Sequence, residues 1–303
     1  EAAETPAELA EAGERITFLI RQLHESGTKI GFITELSTDL HRRMTAKLFA
    51  KLAPAGMAEK ACLVVMGSEG RGEYLIKTDQ DNGMILADGY EPPDWDRFRR
   101  RFTEALIEAG FPACPGEIMV RNPAWSKPLA KWGQDARGWL LNPDEQALMN
   151  VAIFYDAAPV AGDARLLEQA KGYLFELLAE NSAFHARFAR AIDMFDTPLG
   201  LFSTFVTGKG AQKDELDLKK GGLFPLMHGV RALALERRLT ETIDKLLALA
   251  EVEQHGWLQR REALDLSALL RQLAASVEPQ LAAARLQLRV EGADSPLVVR
   301  GDP

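Results

Sequence analysis

The chain has 303 residues, 47 % hydrophobic and 26 % charged, close to globular averages, which excludes disordered and fibrous architectures. Its 36 Lys and Arg against 44 Asp and Glu give a net charge of −8, a poor balance for coating nucleic acid. Cys62 and Cys114 lie too far apart for a disulfide framework or a Cys-based zinc site. No apolar run reaches the roughly 18 residues that span a bilayer, and the start carries no signal-peptide pattern. The expectation is a cytoplasmic protein with about two domains of roughly 150 residues each. Because the first residue is Glu, it is expected to be a piece of a longer chain.

In chain order, residues 7–27 read as an amphipathic helix, with Leu9, Ile16, Leu19, Ile20 and Leu23 on one face before Gly27. A second helix over 30–52 carries Ile33, Leu36, Leu40, Met44, Leu48 and Leu52 and stops at Pro54. The run 61–66 (ACLVVM) is too short for a buried helix and leads into glycines, so it predicts a buried strand. A loop or short helix follows over 67–77, then a strand over 79–87 and a helix over 94–109. Arg97, Arg99, Arg100 and Arg101 on that helix read as a solvated face. Residues 117–121 are the candidate third strand. From about 127 the pattern is helical, over 144–157, 163–180, 183–195, 222–236, 239–254 and 266–284, with a break at 159–162. Short strands are expected over 286–290 and 297–300.

The stretch that carries chemistry is CLVVMGSEGRGEYLIKTDQDNGMIL, residues 62–86. Gly67, Gly70 and Gly72 let backbone approach a ligand closely, and amides at a strand-to-helix turn favour an anion. Ser68 adds a hydroxyl, and Arg71 and Lys77 add positive charge. Asp79 and Asp81 are two apart, so on a strand both carboxylates share one face. Two hard oxygen ligands suit Mg²⁺ together with substrate phosphates. A phosphate cradle beside a Mg²⁺ pair is a nucleotide site. The glycine spacing is neither a Walker A loop nor a dinucleotide fingerprint, and the sequence has neither an H-E-x-x-H pair nor a G-x-S-x-G elbow.

Gly67-Ser68, ten intervening residues and Asp79-x-Asp81 resemble the signature of the DNA polymerase beta-type nucleotidyltransferase superfamily. VMGSEGRGEYLIKTDQDN is similar to the uridylyltransferase-like domain of bacterial signal-transduction proteins, which often carry CBS or cyclic-nucleotide-binding domains upstream. A wider relative is the nucleotidyltransferase domain of the PII-protein uridylyltransferase. The likeness continues through FPACPGEIMVRNPAW and MNVAIFYDAAPVAGD. It reaches LDLKKGGLFPLMHGVRALALE, which is similar to the helical substrate-binding domain that follows the catalytic domain in this family.

The resemblance implies an α+β fold: a small mixed sheet with flanking helices, then a mostly helical domain. It implies that Gly67, Ser68 and Gly70 hold NTP phosphates with Arg71 and Lys77, while Asp79 and Asp81 bind Mg²⁺. A nucleoside monophosphate would pass to a protein or small-molecule hydroxyl, with release of pyrophosphate. Glu117 is the candidate third carboxylate. Lys219, Lys220, His228 and Arg231 are candidate substrate-binding residues. Should a third carboxylate be lacking, the alternative is a regulatory module that binds nucleotide without turnover.

The expected boundaries are helices over 1–55, the nucleotidyltransferase-like domain over 56–145, the helical domain over 146–238 and a tail over 239–303. That tail resembles the junction before the ATP-binding domain of sensor histidine kinases, with Gly301-Asp302-Pro303 at its end. A histidine-kinase-like signalling protein is the third reading, although the tail carries no phosphoacceptor motif.

Overall fold

The computed structural model describes residues 5–75, 79–179, 181–194, 224–237, 262–265 and 298–301. The chain divides into two compact units, Glu1–Ala248 and Leu249–Pro303.

The first unit opens with helix α1, Pro6–Glu25. Thr5 and Glu8 form a capping box: the Glu8 amide donates to Thr5 Oγ1 at 3.2 Å and the Thr5 amide to Glu8 Oε2 at 3.3 Å. After Ser26 the chain reverses through Gly27 at φ +76°, a conformation that glycine adopts without strain. Helix α2, Ile30–Leu52, ends where Ala53 turns extended ahead of Pro54, because proline disfavours helical backbone in the residue before it.

Strand β1, Ala61–Val65, and strand β2, Asn82–Leu86, pair antiparallel with Ala61 opposite Leu86 and Val65 opposite Asn82. Helix α3, Gly67–Gly70, makes the first part of the connection between them. Both strands are buried along their whole length. Their alternating side chains feed two separate clusters. Cys62, Val64 and Ile85 pack with Trp132, Phe154 and Leu174, whereas Leu63, Met84 and Leu86 pack with Leu48, Phe102 and Phe111. The first cluster is supplied by helices α5 (Leu129–Leu141), α6 (Glu145–Tyr155) and α7 (Arg165–Leu178). The second is supplied by α1, α2 and α4 (Trp95–Glu108).

Residues 117–121, expected as the third strand, form a loop instead. Glu117 sits at φ +54° after the Pro115-Gly116 turn, which breaks extended backbone. The loop is nonetheless tied to the start of β2 through Asn82: its amide donates to Ile118 O at 3.0 Å, and its Oδ1 accepts from the Val120 amide at 2.8 Å. The strands that complete the sheet are β3, Ser126–Pro128, parallel to β2, and β4, Ala158–Gly162, antiparallel to β1. The order is β3-β2-β1-β4, so β4, where the sequence suggested only a break, is an edge strand. An edge is where a strand tolerates Pro159.

Helices α8 (Ser182–Arg190) and α9 (Phe224–Arg237) extend the first cluster through Phe184, Phe188, Met227 and Leu235. One hydrophobic core therefore runs past residue 145, and the fold is α+β with its helical part packed onto the sheet layer. In the second unit, β5 (Glu262–Asp265) pairs antiparallel with β6 (Val298–Gly301). Strand β6 matches the expected strand over 297–300, and β5 was not expected. The helices expected over 239–254 and 266–284 and the strand over 286–290 lie outside the described residues.

Candidate active site

The connection from β1 to β2 is built around close approaches that only glycine permits. The Met66 amide donates to Asp81 O at 2.8 Å, which extends the β1–β2 ladder one pair beyond Asn82. Gly67 then sits at φ +59°, and a Cβ placed on it would lie 2.9 Å from Asp81 Oδ2. Glycine is required there for its backbone angle and for the carboxylate beside it. At Gly70 a Cβ would run into the carbonyl oxygen of Asp156.

Residues 79–81 continue β2 outward. The Gln80 amide donates to Pro112 O at 2.9 Å and its Nε2 to Phe111 O at 3.2 Å, so this side chain is buried. Its neighbours alternate with it: Asp79 is exposed and Asp81 half-buried. The buried Cys114 thiol hydrogen-bonds to Asp81, and burial together with that carboxylate pushes its pKa up to about 11. Glu69 on α3 is buried as well. Its pKa is pushed up to about 7, mainly by loss of water and further by the charge of Asp81, against the pull of Arg42. Among the described residues no group of three or more His, Cys, Asp or Glu is placed to hold a metal ion. A cation at Asp79 and Asp81 would therefore take its remaining oxygens from ligand and water.

The structure brings Gly67, Ser68 and Gly70 together on α3, with Asp81 against Gly67. Arg71 faces elsewhere than the expected phosphate side. It is buried, with Nε on Glu73 Oε2 at 2.7 Å and Nη1 on Asp156 Oδ2 at 2.5 Å. Glu117 pairs with Arg121, which draws its carboxyl below the usual range, through a hydrogen bond from Arg121 Nε at 3.0 Å and a second from Nη2. The His228 ring is buried against Phe188, with Nε2 2.5 Å from Phe188 O, and burial lowers its pKa. Arg231 donates from Nε to Asp156 Oδ1 at 3.0 Å and from Nη2 to Oδ2. His228 and Arg231 thus serve packing contacts between elements. Lys77, Lys219 and Lys220 lie outside the described residues.

Residues 14–146 match the family described as "Putative nucleotidyltransferase DUF294", and residues 182–283 match the "Putative nucleotidyltransferase substrate binding domain". The chain carries a DUF294 nucleotidyltransferase domain and its substrate-binding companion. The whole Gly67–Asp81 segment falls in the first DUF294 match, and α8 and α9 fall in the second. The second match runs to residue 283, beyond residue 238 where the helical domain was expected to end. No curated protein sequence matches the chain. No helix among the described residues is long and apolar enough to cross a membrane.

Several residues that shape this DUF294 site escaped the sequence reading. Helix α2 grips the connection with polar groups: Ser37 Oγ donates to Leu75 O at 2.6 Å, and the Tyr74 amide donates to Thr38 Oγ1 at 3.2 Å. Arg42 Nη2 donates to Glu69 O at 2.5 Å and Gly70 O at 3.0 Å, closing the C-terminal end of α3. The available signal was the set of polar residues, Thr34, Ser37, Thr38 and His41, on a buried stripe that should otherwise be apolar. Asp156 gave no local signal at all.

Proposed function

We propose that this DUF294 protein is a Mg²⁺-dependent nucleotidyltransferase that moves a nucleoside monophosphate from an NTP onto a protein or small-molecule hydroxyl. The observation that carries this reading is the Asp81 carboxylate seated against Gly67, with Asp79 two residues away on the same extended segment. The donor set fits the ion: hard carboxylate oxygens, one exposed and one half-buried, leave room for triphosphate and water. Bound there, Mg²⁺ supplies charge neutralisation for the triphosphate and for the displacement at its α-phosphorus.

The chain's own groups account for the rest. Helix α3 has Met66 at its N-cap and no side-chain cap, so its first amides look outward for acceptors. In this reading Gly67 and Ser68 donate to phosphate oxygens of the leaving pyrophosphate. Asp79 and Asp81 fix the triphosphate so that the α-phosphorus faces the acceptor hydroxyl. The acceptor oxygen bonds to that phosphorus as its bond to pyrophosphate breaks. A regulatory, cytoplasmic setting like that of the PII-uridylyltransferase group, with CBS or cyclic-nucleotide-binding domains upstream, belongs to the same proposal.

The test is an NTP labelled at the α-phosphorus, offered with Mg²⁺ and cell extract as the source of acceptor. Label on an acceptor with matching pyrophosphate release, lost in Asp79→Asn and Asp81→Asn, is the expected result. A second reading, nucleotide binding without turnover, has one observation in its favour. Strand β3, beside β2, carries Ser126, Lys127 and Pro128 and no acid, while Glu117 is paired to Arg121. Saturable Mg²⁺-NTP binding without pyrophosphate release would establish that second reading in place of the first.

A further inference from the structure

Four buried charged side chains meet behind the Gly67–Glu73 turn. Arg71 reaches Glu73 and Asp156, and Asp156 receives Arg231 from α9 as well. Two guanidinium groups balance two carboxylates, and all four side chains are nearly sealed from water, the most open being Arg231 at 12 %.

A core at this position could be built from apolar residues at no loss of stability, since buried ion pairs gain little over well-packed hydrophobic side chains. What charges add is direction. A carboxylate held by two guanidinium forks has one orientation, and so have the forks. That direction is passed on to the turn. Glu73, at the far side of Arg71, sends its amide to Ser68 O at 2.9 Å, and the Asp156 carbonyl lies directly on Gly70. An unbroken path thus runs from Arg231 on α9 through Asp156, Arg71 and Glu73 to Ser68.

Building on the proposed nucleotidyl transfer, we infer that Asp156 and Arg231 are positioning residues. From outside the motif, they fix through Arg71 the turn that presents Gly67 and Ser68 to the triphosphate. Arg231 belongs to the substrate-binding match and Arg71 to the nucleotidyltransferase match, so this clamp joins the two DUF294 domains at the active site. Neither residue touches the substrate in this scheme. Their effect is geometric, and misplacement of a reacting group by about 1 Å costs on the order of 100-fold in rate.

The experiment compares wild type, Arg231→Met, Arg231→Lys, Asp156→Asn and the Asp156→Asn/Arg231→Met double variant, all well below their unfolding temperatures. Hydrogen exchange by mass spectrometry is read for the peptide covering 67–73, and transfer is followed with α-labelled NTP. Arg231→Met is expected to speed exchange in that peptide and to lower kcat about 10- to 100-fold, with KM for NTP changed less than about threefold. Lysine should not rescue, because it cannot span both oxygens, and the double variant should be no worse than the worse single one. Unchanged exchange at 67–73 overturns the inference whatever the activity. A rate loss that only follows the folded fraction does the same. A wild type without transfer overturns the proposed function alone, since the exchange comparison still decides the clamp.

Discussion

The turn between β1 and β2 is held from two sides by different chemistry. On the α2 side, Ser37, Thr38 and Arg42 bind backbone groups of residues 69–75, and two of those three side chains are neutral hydroxyls. On the opposite side, Arg71, Glu73, Asp156 and Arg231 bind one another, side chain to side chain, as guanidinium–carboxyl pairs. The first arrangement depends on where the backbone goes and tolerates loss of a single bond. The second is all-or-none, because removing one member leaves others buried without a counter-charge.

The contrast sets an order of expected effects. Asp156→Ala should cost most, about 3–5 kcal/mol of unfolding free energy in urea denaturation, because Arg231 loses its carboxylate inside the protein and Arg71 is left with Glu73 alone. A cost under about 1 kcal/mol would erase the distinction between the two sides.

The pH dependence comes next. Glu73 and Glu69, one from each side, both have pKa values raised to about 7, chiefly by burial, from an ordinary 4.5. The folded state then binds protons more tightly than the unfolded state between those two values. Stability from these groups is fully present below pH 4.5 and falls as pH rises to about 7, by on the order of 3 kcal/mol for each carboxyl. Asp156 runs the opposite way. Burial disfavours its charge, yet Arg231 and Arg71 hold its pKa below the usual 3.8, so its contribution is lost only in stronger acid. Unfolding temperatures measured from pH 5 to 8 should decline, and Glu69→Gln should flatten the decline. A profile that rises over that range, or one that Glu69→Gln leaves untouched, would contradict the assignment.

Arg42→Met removes two charge-assisted bonds to carbonyls and should cost about 1.5–3 kcal/mol in the same denaturation assay. Ser37→Ala removes a neutral hydroxyl that bonds Leu75 O at 2.6 Å and lies 3.3 Å from His41 Nδ1, and should cost about 1 kcal/mol. If Ser37→Ala proved as damaging as Asp156→Ala, the α2 side would be all-or-none too.

How far the sequence foretold this depends on whether a feature is local. Helix α2 was bounded by Pro54 and an apolar stripe, and β1 by its length and following glycines, so both could be read directly. The Gly67-Ser68 and Asp79-x-Asp81 spacing likewise marked the residues among which the structure sets the Asp81 carboxylate against Gly67. Strand β3 has only three residues, and β4 (APVAG) contains Pro and Gly, so neither offers a periodic signal. Residues 117–121 looked like a strand, but Glu117 takes a positive φ and Asn82 ties the loop with its amide and its side chain together, which no propensity encodes. Arg71 read as a phosphate ligand because Asp156, the second carboxyl partner beside its neighbour Glu73, comes close only through the sheet, and Arg231, which shares Asp156, only through α9. Pairings at that sequence separation depend on topology and leave no trace in a local window.

Strand β4 has a consequence for the order of assembly. β1 and β2 are near neighbours in sequence and can pair early, whereas β4 reaches β1 from almost a hundred residues away, and contacts of that separation form slowly. Asp156 sits two residues before β4. The step that closes the edge of the sheet therefore also delivers the carboxylate that Arg71 awaits. During synthesis the Gly67–Glu73 turn is gripped by α2 first. Asp156 arrives only once the chain beyond residue 162 has emerged, and Arg231 on α9 later still, so the charged side of the turn is completed last.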